Sequence, residues 1–250
     1  MFSRITFFSI GRTPRGDLVP EIAARLPASV EIAEVGALDG LSREVIEGLE
    51  PGPGEEALVT RLPDGTQVVL SKRWVQQRLQ ALLDATGGAP SDESAPRGAG
   101  AGAASDEPTV STRPADQTIN VLLCTGRFPG LRGPWPFLDA RHLVDHGVAA
   151  ICGRAGSIGL LIPLERQEAE LHYEPPDGQE LVIAHASPYE DEDFEAADFE
   201  AVGRSLAACD LVVMHCMGYT EAQRAAVARG SGGPVLLARR MVAAGLAQLL

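Results

Sequence analysis

The chain has 250 residues, 34 acidic against 21 basic side chains, a formal net charge of −13 at pH 7 and 45% hydrophobic residues. This length fits one large domain or two small ones, with enough apolar residues for a core. The acidic balance argues against a nucleic-acid partner, because phosphate backbones are bound through basic surfaces. The apolar runs fall short of the roughly 20 residues that span a bilayer, so we expect no membrane partner.

The N-terminal segment "MFSRITFFSIGRTPRGD" has one charge before a short apolar run, which is followed by Gly and Pro. This pattern predicts a first β-strand rather than a signal peptide, which has a longer apolar region and a small-residue cleavage site. The four cysteines, at 124, 152, 209 and 216, show neither C-x-x-C spacing nor the density of a disulfide framework. We therefore expect a cytoplasmic protein with reduced thiols.

Short apolar runs alternate with amphipathic stretches along the chain. The predicted strands are Ile5–Ile10, Val30–Glu34, Asn120–Cys124, Gly159–Ile162, Leu181–His185, Asp210–His215 and Val235–Leu237. The predicted helices are Asp17–Arg25, Ser71–Asp84, Val144–Gly153, Glu165–His172, Phe194–Ala208, Glu221–Arg229 and Arg239–Leu250. Continuous apolar strands are typical of parallel sheets covered on both faces, so the alternation predicts an α/β fold. Residues 58–70 add a predicted hairpin around Asp64-Gly65.

Two segments lack this pattern. Residues 87–117 are rich in Gly, Ala, Ser, Pro and acid, with almost no large apolar side chain. Such a segment buries too little surface to offset its ordering entropy, which predicts a disordered insertion. Residues 189–200, "YEDEDFEAADFE", carry a dense acidic run that predicts the solvated N-terminus of a helix.

Two cysteines occupy matching places in the sequence. Cys124 ends the apolar run of "INVLLCTGRFPG" and Cys216 ends that of "DLVVMHCMGYT", and each is followed by a glycine-containing turn. Parallel sheets bind ligands beyond the carboxyl ends of their strands, where turn amides can lower a thiol pKa. A thiolate and a facing thiol can move a proton to and from carbon without a cofactor. The alternative is that both are ordinary buried residues.

Further polar side chains follow the predicted strands and could bind a carboxylate there. These are Arg12, Thr13, Arg15, Arg127, Arg132, Ser187 and Tyr189, with Gln167 as a weaker candidate. Arginine forms charge-assisted hydrogen bonds with carboxylates. Solvated loops and simple turns are the alternatives at all these positions.

A third group of residues could suggest other chemistry. Its members are Asp139, His142, Asp145 and His146. Histidines four residues apart lie on one helical face, but without a third ligand or a Glu-containing motif they favour an ordinary helix surface, so we predict no metal site. We expect His215 to be a packed neighbour of Cys216 rather than part of a Cys–His dyad, because adjacent strand residues point to opposite faces, although a bend at the strand end would weaken this argument. Cys152 and Cys209 are predicted to be structural.

Six segments of the chain carry a resemblance to known proteins: residues 10–22, 36–80, 121–130, 159–167, 210–220 and 233–250. In these segments the chain resembles the AroM family within the aspartate/glutamate (hydantoin) racemase superfamily. It implies two pseudo-symmetric α/β halves with mainly parallel sheets and a cleft between them. The halves are expected at 1–140 and 141–250, with an approximate boundary and a chain that could cross back at the C-terminus.

The resemblance also implies roles for residues around the cysteines. Cys124 and Cys216 take the acid/base places on opposite faces of a substrate's α-carbon. Their neighbours in the proposed site are Thr125, Gly126, Met217, Gly218, Tyr219 and Thr220. Racemases of this superfamily usually have Asn-Thr after the first cysteine and Thr-His after the second, whereas this chain has Thr-Gly and Met-Gly.

The sequence thus predicts a cofactor-independent racemase- or isomerase-like enzyme acting on a small carboxylate. Two alternatives stay open: a noncatalytic small-molecule binding protein of the same fold, and a decarboxylase that needs Cys216 alone. Assembly into a homo-oligomer also stays open.

Overall fold

The structure, a computed structural model, describes residues 2–86, 118–171, 178–189 and 196–250. The strands are β1 Arg4–Ser9, β2 Glu31–Gly36, β3 Ala57–Arg61, β4 Gln67–Ser71, β5 Thr118–Leu122, β6 Phe137–Asp139, β7 Ser157–Ile162, β8 Glu180–His185, β9 Leu211–Met214 and β10 Val235–Leu237. The α-helices are α1 Val19–Ala23, α2 Arg43–Glu47, α3 Lys72–Thr86, α4 Ala140–Ile151, α5 Ala196–Ser205, α6 Glu221–Ser231 and α7 Ala238–Ala247.

The strands form two four-stranded sheets and one hairpin. The first sheet has the order β2-β1-β5-β6 and the second the order β10-β9-β7-β8. Every pairing within these two sheets is parallel, and β3 and β4 form the antiparallel hairpin. The prediction of an α/β fold with two mainly parallel halves is confirmed.

Both sheets contribute to one hydrophobic core. Side chains from the first sheet, such as Phe7 and Val121, and from the second, such as Leu160 and Val213, belong to the same buried cluster. Helices α1, α4 and α7 complete this cluster with their apolar faces. Burial of apolar surface stabilises this arrangement by about 25 cal/mol per Å². The shared core holds the carboxyl ends of the two sheets next to each other.

Several elements differ from the sequence-based expectation. Strand β6 and helix α2 were not predicted, and they have only three and five residues. The segment predicted as a helix over Glu165–His172 is a 3₁₀ helix over Glu165–Glu170. The predicted insertion 87–117 and part of the acidic run, residues 190–195, lie outside the described residues.

The hairpin of the first half contacts the second half. The Gln167 side-chain amide donates to the Ala57 carbonyl at 3.2 Å, and the Ser187 hydroxyl donates to the Gln67 side-chain oxygen. Gly65 in the hairpin turn has a φ of +91°, a conformation that favours glycine. These contacts place the hairpin along one side of the cleft.

Within the described ranges, the structure contains no helix that is both long and apolar enough to cross a bilayer.

Helices α5 and α6 approach each other so closely that only glycine fits at two positions. A Cβ on Gly230 would lie 2.0 Å from the Glu200 carbonyl oxygen, and one on Gly203 would lie 2.3 Å from the Val227 carbonyl oxygen. Because both obstacles are backbone atoms, a side-chain rotation cannot relieve the clash.

We expect Gly230→Ala to lower the free energy of unfolding by about 1–3 kcal/mol, the usual cost of overpacking. Urea denaturation of the purified variant measures this change. Gly233→Ala is the matched control, because its Cβ would lie 3.9 Å from the nearest neighbouring atom. Equal stability of the two variants would contradict the packing of α5 against α6.

Candidate active site

A cavity of about 100 Å³ lies where the carboxyl ends of the two sheets meet. Cys124 from the first half and Cys216 from the second both line it. The hairpin contributes further wall residues, including Leu58. This is the position at which open parallel sheets bind ligands.

The two cysteines lie in turns of the same construction. Cys124 follows the end of β5 by two residues, and Cys216 follows the end of β9 by two residues. The backbone N–H of Gly126 donates to the Cys124 sulfur at 3.3 Å, and that of Gly218 donates to the Cys216 sulfur at 3.4 Å. Each thiol therefore has one amide donor, supplied by the residue two positions later.

Both turns need glycine because neighbouring side chains approach closely. A Cβ on Gly218 would lie 2.3 Å from the Tyr189 hydroxyl oxygen. A Cβ on Gly126 would lie 2.9 Å from Leu58 Cδ2. The glycines thus allow walls from other elements to close around the sulfurs.

Arg15 brings a buried positive charge to the cavity. Its side chain is 3% exposed, and its Nε and Nη2 donate to the two carboxylate oxygens of Asp17 at 2.9 and 2.8 Å. Nη2 also donates to the Tyr189 hydroxyl at 3.3 Å. Burial alone would lower the pKa of Arg15, but Asp17 and Tyr189 raise it, so the guanidinium stays charged.

Burial favours the protonated form of both thiols. Burial raises the pKa of Cys124 to about 12, although the Gly126 amide and the Arg15 charge act in the opposite direction. Burial also raises the pKa of Cys216, again against the amide of Gly218 and the charge of Arg15. A charge on the Cys216 sulfur raises the pKa of Cys124. The two sulfurs are thus electrostatically coupled, and Arg15 favours the thiolate of both.

Arg239, at the start of α7, fixes the turn that carries Cys216. Its guanidinium is buried and donates to the carbonyls of Met217 at 3.1 Å and Gly218 at 2.7 Å. A third hydrogen bond, of 3.1 Å, goes to the carbonyl of Asp17. One side chain therefore joins the Cys216 turn to the segment that holds Arg15.

His215 lines the same cavity and is paired with Asp145 from α4. Its Nε2 lies 2.8 Å from one Asp145 oxygen, and Arg141 Nε forms an ion pair with the other at 3.0 Å. Burial would raise the pKa of Asp145, but His215 and Arg141 lower it, so the carboxylate remains ionised. The expectation that His215 only packs beside Cys216 missed this placement, because the strand ends at Met214 and the alternation of side chains ends with it.

The cavity wall is cationic although the chain as a whole is acidic. The charged lining residues are Arg15, Lys72, Arg127, Arg141 and Glu56. Lys72 and Arg141 lie in the first turns of α3 and α4, which contain no acidic residue. Helix N-termini carry partial positive charge, so these basic side chains reinforce a positive potential. The wall suits an anionic ligand.

Ten of the predicted site residues line this cavity. They are Arg15, Cys124, Thr125, Gly126, Arg127, Gln167, Tyr189, Cys216, Met217 and Gly218.

The other predicted site residues make contacts elsewhere. Thr13 donates its amide and hydroxyl to Asp39, at 2.8 and 2.7 Å, and Arg12 donates to the Leu41 carbonyl. The Tyr219 hydroxyl donates to the Ala186 carbonyl at 2.6 Å. Thr220 caps α6. The Ser187 hydroxyl donates a hydrogen bond to the Gln67 side-chain oxygen and accepts one from the backbone N–H of Tyr189, so Ser187 holds a cavity residue in place without lining the cavity.

Sequence reasoning missed Lys72, Arg141 and His215 as cavity residues. A signal for Lys72 was present in the composition, since it is the only lysine among the 21 basic residues. Arg141 and His215 gave no comparable signal, because their placement depends on how α4 meets the end of β9. Within the described ranges, no group of three or more His, Cys, Asp and Glu side chains is arranged to hold a metal ion.

Three solved structures share this architecture over almost the whole chain. Glutamate racemase from Francisella tularensis subsp. tularensis SCHU S4, in complex with D-glutamate, matches with a TM-score of 0.53 and 11% identity, over 99% of this chain and 80% of that one. Maleate cis-trans isomerase from Nocardia farcinica, bound to TRIS, matches with a TM-score of 0.53 and 15% identity, over 99% of this chain and 92% of that one. An aspartate racemase homologue from Pyrococcus horikoshii OT3 matches with a TM-score of 0.50 and 10% identity, over 99% of both chains. No curated protein sequence matches the chain.

The fold is therefore that of the aspartate/glutamate racemase-like proteins, with two α/β halves that meet at a cleft. The sequence profile described as "AroM protein" matches residues 5–89 and 110–250. The chain belongs to the AroM family.

Because the Arg15 charge acts on both thiols, substitutions of Arg15 and of Asp17 are expected to change the rate of thiol alkylation in opposite directions. In a chain whose Cys152 and Cys209 are replaced by alanine, we expect Arg15→Met to slow iodoacetamide alkylation of Cys124 and Cys216 about tenfold or more at pH 8. Loss of a nearby cation raises a thiol pKa by about 1–3 units and removes thiolate in proportion. Mass spectrometry of the two peptides over time gives both rates.

Asp17→Asn is expected to accelerate the alkylation of Cys216, because it leaves the Arg15 charge less neutralised. Arg43→Gln is the control, since Arg43 pairs with Glu47 and Asp64 on the surface. Rates that are the same in all three variants and the parent would contradict the electrostatic role of Arg15.

Proposed function

We propose that this AroM-family protein is a cofactor-independent enzyme of the racemase or isomerase type, acting on a small carboxylate. Cys124 and Cys216 are its acid/base pair. The observation that carries the proposal is the presence of two thiols, in turns of the same construction, on the wall of one cationic cavity.

The reaction moves one proton at a time. One cysteine, as thiolate, removes the α-proton of the carboxylate substrate and becomes a thiol. The thiol of the other cysteine then donates its proton to the same carbon from the opposite face and becomes a thiolate. The electron pair left on carbon is held meanwhile as an enolate-like anion, which nearby donors and cations stabilise.

Arg15 is the side chain best suited to stabilise that negative charge. It is buried, it is fixed by Asp17, and its charge favours the thiolate of either cysteine. A donor held in place before the reaction needs no reorganisation when charge develops. The similar solved proteins include a glutamate racemase and a maleate isomerase, which supports this class of chemistry.

A noncatalytic binding protein is the second candidate. The raised pKa values of both thiols favour it, because a thiol that stays protonated is a weak base. A decarboxylase that uses Cys216 alone is the third candidate. The experiment below separates all three.

Exchange of the substrate α-hydrogen with deuterium in D₂O, followed by NMR over a panel of small amino and hydroxy acids, tests the proposal. We expect exchange with the unmodified chain and its loss, by at least about a hundredfold, in both Cys124→Ser and Cys216→Ser, since a serine hydroxyl is a far weaker acid than a thiol and therefore neither donates its proton nor ionises to act as the base. Cys209→Ser is the control, because Cys209 is not among the cavity residues.

Exchange at the parental rate in both serine variants would overturn the two-thiol mechanism. Absence of exchange with every carboxylate that binds would favour the noncatalytic protein. Loss of CO₂ from a malonate-type substrate, retained in Cys124→Ser and abolished in Cys216→Ser, would identify the one-thiol decarboxylase.

The pH dependence follows from the direction of the thiol pKa shifts. Because burial raises both, the reactive state with one thiolate becomes more populated as the pH rises. We expect the exchange rate to increase from pH 7 to pH 9 at saturating substrate. A rate that falls over this range would contradict a cysteine base with a raised pKa.

A further inference from the structure

Lys72 is the only lysine of this chain, and it lies at the cavity. All the other basic side chains are arginines, most of them on the surface. The Lys72 side chain is 8% exposed, and it lines the wall that the two thiols share. A single lysine in such a place needs an explanation, because lysine is almost never fully buried without a partner.

Lys72 occupies a position of α3 that packing alone would give to an apolar residue. The buried residues of this helix are Lys72, Val75, Leu79 and Leu83, which follow the spacing of one helical face. The ammonium group also lies at the positive end of the helix, where a cation is disfavoured. Neither packing nor the helix dipole accounts for a lysine here.

Glu56 is the ion-pair partner of the Lys72 ammonium group. Its carboxylate lies 2.7 Å from Lys72 Nζ, and its carbonyl accepts the backbone N–H of Lys72 at 3.1 Å. Glu56 itself is 42% exposed and lines the same cavity. A carboxylate so accessible to solvent can turn away from the ammonium group at little cost.

We propose that Lys72 binds a second anionic group of the ligand, so that the cavity takes a small dicarboxylate whose distal carboxylate displaces Glu56 from Lys72. This inference rests on the proposed function, in which the first carboxylate lies near the thiols and Arg15. Lysine suits the task as a compact charge with three donors, of which Glu56 takes one within the described part of the chain.

The cationic wall supports a ligand with more than one negative charge. Four basic side chains line the cavity against Glu56 as the one acidic side chain among its described lining residues. The carboxylates that pair with Arg15 and Arg141, those of Asp17 and Asp145, are not among the described residues that line the cavity. The carboxylate of Glu56 is thus the one that a ligand can replace without entering the packed interior.

Isothermal titration with matched pairs of ligands tests the inference. Malonate, succinate and glutarate are each compared with the corresponding monoamide, which keeps the length but loses one charge. For the unmodified chain, we expect at least one dicarboxylate to bind tenfold or more tightly than its monoamide, which corresponds to about 1.4 kcal/mol.

Three variants identify the residue that makes this distinction. Lys72→Met should bind the dicarboxylate and its monoamide within about threefold of each other, because methionine keeps the apolar stem without the charge. Glu56→Gln should bind the dicarboxylate several-fold more tightly than the parent, because the competing carboxylate is gone. Arg73→Met, an exposed neighbour on the same helix, should behave as the parent does.

The single lysine also allows a direct observation. After biosynthetic labelling with [¹³C]lysine, one residue gives the whole lysine signal. We expect its Cε resonance to shift on titration with the preferred dicarboxylate and to stay in place with the monoamide. This measurement needs no variant, so it holds even if Lys72→Met fails to fold.

The inference is overturned if no dicarboxylate is preferred over its monoamide, if Lys72→Met keeps the preference, or if Glu56→Gln weakens binding. A role of the Lys72–Glu56 pair in folding alone would lower the stability of both variants and leave the preference unchanged. Binding is measured apart from hydrogen exchange. A dicarboxylate preference without exchange would therefore refute the proposed catalysis and support this binding site. Exchange without the preference would support the catalysis and refute the binding site.

Discussion

The ion pair between the buried Arg15 guanidinium and Asp17 is the interaction on which the candidate site depends. A guanidinium taken out of water needs a carboxylate partner, and Asp17 supplies one through two bonds of 2.9 and 2.8 Å. Arg239 holds the carbonyl of Asp17 and the carbonyls of the Cys216 turn at the same time. The charge at the cavity and the turn that carries one of the thiols are therefore fixed relative to each other.

This construction explains how an acidic chain can present a cationic cavity. The carboxylates that neutralise Arg15 and Arg141 do not line the cavity, whereas the guanidinium groups do. Lys72 differs because its partner Glu56 also faces the cavity. The wall thus combines cations that are fixed in place with one ion pair that can open toward a ligand.

The thiols show why burial matters as much as charge. In water a thiol has a pKa near 8.5, and the amide donors of Gly126 and Gly218 would lower it further. Burial outweighs them and raises the pKa of both cysteines. The sequence indicated the turn amides, whose hydrogen bonds do lower the pKa of each thiol, but it did not indicate the burial that outweighs them. A high thiol pKa also means that a thiolate, once formed, is a strong base toward carbon.

The fold could be predicted from the sequence because parallel strands buried on both faces leave continuous apolar runs, such as the one before Cys124. Strand β6 could not, since Phe137–Asp139 lacks the continuous apolar run that identified the equally short β10. Polar side chains near strand ends were harder to assign. Thr13 and Tyr219 have the right residue types, but Asp39 and the Ala186 carbonyl already take their hydrogen bonds. Which hydroxyl stays free depends on contacts between distant segments, and the sequence does not contain that information.

The proposed mechanism requires two thiols on opposite sides of one bound carboxylate. A crystal structure of the Cys124→Ser variant, grown with the dicarboxylate that binds most tightly, would show whether the site has this arrangement. We expect the ligand to lie between the side chain at position 124 and the Cys216 sulfur, with one carboxylate near Arg15 and the other on Lys72. A ligand bound away from this cavity, or two side chains that point into separate parts of the core, would contradict it.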